Sequence, residues 1–228
     1  MKRISGQFTA AAADVDEKAI EARLEASRGG LSELELAEST VRALSRAKAL
    51  AVFDSLGRPA DTLVIGADTV VALESEILGK PSDREDAVRM LREQSRQPQY
   101  VLTGVTFVTR EGFTQDACCC SRMTSTINDA KKAISNKEDA ADVLVRTFVE
   151  RSVVYFKPLD EEQEARIQAY CDTDEPYDKA GAYGIQLNGA ALVDRFEGDF
   201  DNIVGFPVLR VKQEMDDFLK INNINSNN

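Results

Sequence analysis

The sequence predicts an α/β protein: a mixed, twisted sheet with flanking helices in one domain. Three observations lead there. Short β-branched apolar runs alternate with amphipathic stretches of helical period. Glycine, proline and capping residues fall between them, and no repeat or clear linker divides the chain. The length of 228 residues, with 43% hydrophobic and 29% charged residues, is ample for one core.

In chain order, FTAAAADVDEKAI begins with a short strand and passes into the acidic cluster Asp14-Val15-Asp16-Glu17. Residues 31–57 read as a long amphipathic helix. Ser32 and Glu35 have capping-box spacing, Gly57 can end the helix, and Leu36, Val41, Leu44, Ala47 and Val52 form its apolar stripe. Residues 62–73, including LVIGADTVV, read as a strand, and Gly79-Lys80-Pro81 as a turn. Ser82-Asp83-Arg84-Glu85 is a capping box opening a helix to about residue 95. YVLTGVTFVTR, residues 100–110, is strand-like, whereas residues 114–146 turn polar and read as an insertion. A strand over 147–156, a helix opened by Pro158-Leu159-Asp160, the glycine-rich DKAGAYGIQLNGAALVDRFEGD and a helix from Leu209 to Lys220 follow. INNINSNN, residues 221–228, reads as a frayed tail beyond a domain spanning 1–220.

Composition restricts the chemistry. A formal charge of −11 argues against a nucleic-acid partner, which would call for clustered Lys and Arg. It leaves room for a small phosphate ligand held by a few placed lysines. No apolar stretch approaches the roughly 20 residues of a membrane helix, and MKRISGQFTA lacks the apolar core of a signal peptide. A cytoplasmic protein without membrane contact is expected. The four cysteines (118–120 and 171) have no zinc spacing and suit reduced thiols. The chain contains no histidine, which removes Ser-His-Asp and Cys-His catalysis and every His-ligated metal. Carboxylates, lysines and a hard cation such as Mg²⁺ remain.

Asp68 follows an apolar run, at the carboxyl end of a strand, where open α/β sheets bind ligands. By itself it reads as a turn cap; with Lys80 twelve residues on, in a turn where an ammonium can meet a phosphate, a base or metal ligand becomes the better reading. Lys48 lies at the edge of the long helix's buried stripe, as a snorkelling or cleft lysine would. In DKAGAYGIQ, small residues let backbone approach a ligand, and Tyr183 and Gln186 offer stacking and hydrogen-bonding edges. Neither GxxxxGK[ST] nor GxGxxG occurs. Asp14-x-Asp16 superficially suggests an aspartyl-phosphate phosphatase, but Lys18 and the lack of a strong preceding strand speak against it.

Taken in order, DVDEKAI (14–20), SRAKAL (45–50), VIGADTVV (64–71), ILGKPSDREDAVRML (77–91), YVLTGVTFV (100–108), RTFVERSVVYF (146–156), EPYDKAGAYGIQLNGAALV (175–193) and GDFDNIVGFPV (198–208) resemble the Maf family, the septum formation protein Maf. The resemblance covers about 160 residues. It implies an elongated fold with a cleft between two lobes, a homodimer, and hydrolysis of nucleoside triphosphates to monophosphate and pyrophosphate with a divalent metal, Mg²⁺ or Mn²⁺. By this resemblance Asp68 is the base, Lys48 and Lys80 face phosphate, and Glu17 joins Asp68 at the metal. Thr69 and Gln186 select the base, with Tyr183 and Lys179 on the substrate-binding side. YGIQ resembles the subfamily acting on dTTP and UTP. The resemblance departs at the start, where 16 residues precede Glu17 and no Ser-x-Ser-x-Arg-Arg phosphate loop appears. The alternative expectation is therefore a nucleotide-binding, regulatory homologue without turnover.

Overall fold

The computed structural model describes residues 8–111 and 142–225, with side chains as far as Lys220. Its helices are α1 (Glu17–Ala26), α2 (Glu33–Ser55), α3 (Arg84–Gln94), α4 (Glu161–Cys171), α5 (Phe200–Ile203) and α6 (Val208–Asn225). Strands β1 (Val64–Ala72), β2 (Ile77–Leu78), β3 (Gln99–Arg110), β4 (Val143–Phe156) and β5 (Val193–Glu197) form one sheet in the order β2-β1-β3-β4-β5. Every pairing is antiparallel. The α/β class expected from the alternation of elements holds. Among the described residues, however, the sheet has no parallel strand pair, so the rule placing ligands at carboxyl ends of parallel strands does not apply to Asp68.

Side chains alternate across β1 and β3. Val64, Gly66, Asp68 and Ala72, with Leu102, Gly104, Thr106 and Val108, face α2. Val71 and Val101 face α3 and α4, while Val105 and Phe107 pack against Val211, Met215 and Phe218 of α6. The sheet is thus buried on both faces, which explains why β3 is almost continuously buried instead of alternating.

The capping signals explain most helix boundaries. Ser32 and Glu35 form the expected capping box of α2. At its other end Gly57, with φ +78°, donates to the Asp54 carbonyl and Arg58 to the Phe53 carbonyl, a Schellman ending. The apolar stripe is right at Leu36, Val41 and Leu44. It then runs through Ala49 and Phe53, leaving Ala47 and Val52 only partly buried, because the helix drifts from a seven-residue repeat. For α3 the N-cap is Asp83, accepting from the Asp86 amide at 2.8 Å, and Ser82 stands one residue outside. Between α3 and α4, Arg92 lies beside Glu164 and, with Gln168, holds its carboxyl down to about 2.

Other expectations are corrected. Residues 8–16 form no strand; they are irregular and largely exposed, having no neighbouring strand with which to pair. The strand read from 147 begins at Val143, where pairing with Arg110 extends the β3–β4 ladder into the segment read as insertion. The rest of that insertion lies outside the described residues. Helix α6 continues to Asn225, into the stretch read as tail. No helix among the described residues is long and apolar enough to cross a membrane.

Phe53 is fully buried against Ala49, Val64 and Val108. Phe53→Ala is expected to lower unfolding free energy by ~3–5 kcal/mol, measured by urea denaturation, with a smaller loss for Phe53→Leu.

Candidate active site

Asp68 lies in the middle of β1, opposite Gly104 of β3, and not at a strand end. Its side chain turns toward α2. Helix α2 comes close there because β1 and β3 present glycines. A Cβ on Gly104 would stand 2.5 Å from the Val41 carbonyl carbon and nearer still to its oxygen. One on Gly66 would stand 2.7 Å from the Ala49 amide nitrogen, and nearer to the Ser45 carbonyl oxygen. The buried Ser45 hydroxyl meets Thr106 at 3.0 Å, tying helix to sheet, and Thr106 meets the partly buried Thr147 of β4 at 2.9 Å.

This seating places Lys48 Nζ 2.7 Å from Asp68 Oδ1 and 2.9 Å from Glu17 Oε1. Asp16 caps α1, accepting from the Ala19 amide at 3.0 Å, and so sets Glu17 in the first turn. Part of the acidic cluster is therefore capping chemistry, while Glu17 joins the site. The Asp68 side chain is 11% exposed and that of Lys48 22%. Burial pushes the Asp68 carboxyl above the usual aspartate range, and Glu17 adds to this, outweighing the Lys48 ammonium. Burial disfavours the charge on Lys48, but its hydrogen bonds to two carboxylates win and raise its pKa. The pair thus consists of a well-anchored cation and a carboxylate that ionises reluctantly, the condition of a tuned general base.

Thr69 points to the other face, as consecutive strand residues must. Its hydroxyl lies 2.9 Å from Thr103 and donates to the Gly205 carbonyl at 3.2 Å, linking β1 to the GFP loop before α6. The DKAGAYGIQ loop is pinned beside the GKP turn. Gly181, with φ +72°, donates to the Gly79 carbonyl at 3.0 Å, packs on Val71 and gives its carbonyl to Gln94 at 2.7 Å. The Tyr170 hydroxyl accepts from the Gly184 amide at 3.2 Å; burial pushes its pKa up to about 12.

Lys80 is exposed in the turn after β2, near enough to Asp178 to help lower its carboxyl. With Val71 paired to Leu78, the chain leaving β2 runs back along β1 toward Asp68. Lys179 donates to Asp178 at 2.5 Å and to the Glu175 carbonyl at 3.0 Å. Gln186 is exposed in its turn. Tyr183 is the correction: its ring is buried, edge-on to Phe156 at 4.9 Å, and its hydroxyl finds no partner among the described residues. It stabilises the loop from within the core and offers no edge to a ligand. Lys48, Glu17 and Asp68 are brought together; Lys80, Lys179, Gln186 and Thr69 make no described contact with that trio. Sequence reading missed Ser45, Thr106, Gly66 and Gly104. A glycine inside each of two strongly apolar strands was the available signal, since it marks close backbone approach.

The Maf-like protein family matches residues 1–218. The chain belongs to the Maf-like family. A Bacillus velezensis protein named dTTP/UTP pyrophosphatase is 38% identical over 181 residues, 79% of this chain and 76% of its own. A protein of the same name from Symbiobacterium thermophilum is 34% identical over 218 residues, covering 96% of this chain and 87% of its own. One from Hahella chejuensis is 36% identical over 202 residues, 89% and 77% of the two chains.

Within this Maf-like site, Lys48→Met removes the cation beside a buried carboxylate. A loss of ~1–3 kcal/mol is expected at neutral pH for leaving a buried charge without its partner. The sign follows from the raised Asp68 pKa. Ionising a group whose folded pKa exceeds its unfolded value costs stability as pH rises through that range, and the variant's pKa is higher still. The gap from wild type should therefore narrow on acidification through and below the raised pKa. Urea unfolding at a series of pH values measures it.

Proposed function

We propose that this protein is a nucleoside triphosphate pyrophosphatase acting on pyrimidine nucleotides such as dTTP and UTP, releasing monophosphate and pyrophosphate. The observation carrying the reading is the reluctantly ionised Asp68 held against Lys48 and Glu17, in a chain whose relatives bear that enzyme's name. Those relatives favour turnover over the regulatory alternative.

Asp68 takes the proton from the attacking water as it adds to the α-phosphorus. Lys48, already shared between two carboxylates, has phosphate oxygens as a third acceptor class. When it turns to them, the hydrogen bond holding the Asp68 carboxylate is released for the proton. Lys80 supplies positive charge to the phosphates as the pyrophosphate departs. Gln186 and Thr69 stand as the base-selecting residues and Lys179 as a flanking cation.

Glu17 and Asp68 also suit a divalent cation. Their oxygens converge on one point, the Lys48 Nζ, and Mg²⁺ or Mn²⁺ takes one or two carboxylates together with substrate phosphates. Among the described residues no group of three or more metal-binding side chains occurs. Bound there, the cation would polarise the phosphoryl oxygens and stabilise the charge on the leaving pyrophosphate. A homodimer fits the exposed apolar residues Phe196, Phe200, Val204 and Leu209, and a cytoplasmic setting fits four cysteines with no disulfide-framework spacing.

Pyrophosphate release over a panel of nucleoside triphosphates with Mg²⁺ or Mn²⁺ tests the proposal, and dTTP and UTP should lead. Binding without release on every nucleotide would overturn it. Asp68→Asn should lower kcat on the order of 10²-fold or more. Because folded Asp68 ionises above the usual aspartate range, kcat/KM should begin to fall on acidification at a correspondingly higher pH than an ordinary aspartate dictates. Substituting Gln186 should reorder the preferred bases more than it slows the best one; a uniform loss would remove its selecting role.

A further inference from the structure

We propose that Gly66 and Gly104 are positioning residues for the hydrolytic site: by leaving bare backbone under α2, they let Lys48 reach Asp68 and Glu17. The inference rests on the pyrophosphatase reading above for its consequence in turnover, and on geometry alone for the placement of Lys48.

The two glycines act on a single stripe of α2. Val41, Ser45 and Ala49 are four residues apart and so lie one above the other. A Cβ on Gly104 would collide with the Val41 carbonyl, and one on Gly66 with the Ser45 carbonyl and the Ala49 amide. These obstacles are helix backbone. They cannot rotate aside as a flexible side chain would, so an added methyl group must lift the helix. Lys48 directly precedes Ala49, and its Cα would rise with that stripe. Asp68 would remain behind on β1, two residues from Gly66 and directly across from Gly104.

Elsewhere along α2 the spacing is kept by ordinary side chains. Phe53 packs on Val64 and Val108 at one end, and Ala37 and Val41 pack on Ala72 and Leu102 toward the other. The bare-backbone contacts are confined to the middle of the helix, along the two turns from Val41 to Ala49 that end beside the lysine. If the glycines served only to fill a core, they could be placed anywhere on this interface. Their coincidence with Lys48 assigns them to the site. The Ser45–Thr106 hydrogen bond then holds the helix at the depth that the glycines permit.

The experiment is a pair of double-mutant cycles. In the first, kcat/KM for dTTP or UTP is measured for Gly104→Ala and Gly66→Ala, each in the wild-type and Lys48→Met backgrounds. A misplaced catalytic group costs roughly tenfold to a hundredfold, so each alanine should lower kcat/KM by about tenfold or more in wild type. It should lower it by less than about twofold once Lys48 is gone. Equal fold losses in both backgrounds would reduce the glycines to packing. In the second cycle, Lys48→Met and Asp68→Asn are combined and unfolding is followed in urea, with and without Gly104→Ala. The Lys48–Asp68 coupling should be present in wild type and in Phe53→Leu, which loosens the same interface without a wedge, and absent in Gly104→Ala. Coupling retained in folded Gly104→Ala would overturn the proposal. This cycle needs no turnover, so a wild-type protein releasing no pyrophosphate would sink the hydrolase reading and leave the positioning question decidable. Should neither glycine variant fold, Ala49→Ser is a smaller wedge from the helix side. It is expected to weaken the same coupling, and an unchanged coupling in it would count against the proposal.

Discussion

The close seating of α2 on β1 and β3 is the constraint on which the rest of this structure depends. Two strand glycines leave no side chain between helix backbone and sheet backbone, and the buried hydroxyls of Ser45 and Thr106 hold the contact. From that seating follows the position of Lys48, and from Lys48 the convergence of Asp68 with Glu17. Each of these three residues belongs to a different element. A carboxylate in the middle of a buried strand would be costly with no partner, and the helix supplies the cation that makes it tolerable.

The balance of charge in the trio has a functional sense. Asp68 has one cation, one neighbouring anion and a dry environment, so burial prevails and its pKa rises. Lys48 has two anions, so pairing prevails and its charge is secured. A lysine satisfied by protein carboxylates is also poised to exchange them for phosphate oxygens. The site thus holds the cation in contact with both carboxylates.

The other half of the candidate site is organised by the loop that follows α4. Gly181, Gln94 and Tyr170 fix its backbone against the GKP turn and α3, and Tyr183 anchors it from the core. Gln186, Lys179 and Lys80 are left at the surface by this arrangement. That division suits a site in which a rigid frame carries adaptable polar ends, with Tyr183 turned inward as part of the frame. In a glycine-rich segment an aromatic residue resembles a ligand platform, yet a loop with so few side chains also needs one large apolar group to hold it to the core.

Much was legible in the sequence because the signals were local. Ser32 with Glu35, Gly57 and Asp160 mark helix ends through hydrogen bonds made within a few residues. The apolar runs of β1 and β3 declare strands wherever they pair. Asp68, Lys48 and Glu17 were identifiable by residue type, position and resemblance. What the sequence by itself determined was therefore the elements and the chemical inventory: carboxylates and lysines, with no histidine. The tertiary structure alone decided that the sheet is antiparallel and that the Asp68 side chain turns toward Lys48 of α2. It also decided which face of the sheet each of Asp68 and Thr69 takes, and that glycines far apart in the chain meet α2 along the two turns from Val41 to Ala49. Those facts depend on strand register and on helix-to-sheet distance, which are set by long-range packing and by the two-residue alternation of a strand, and no short window of sequence contains them.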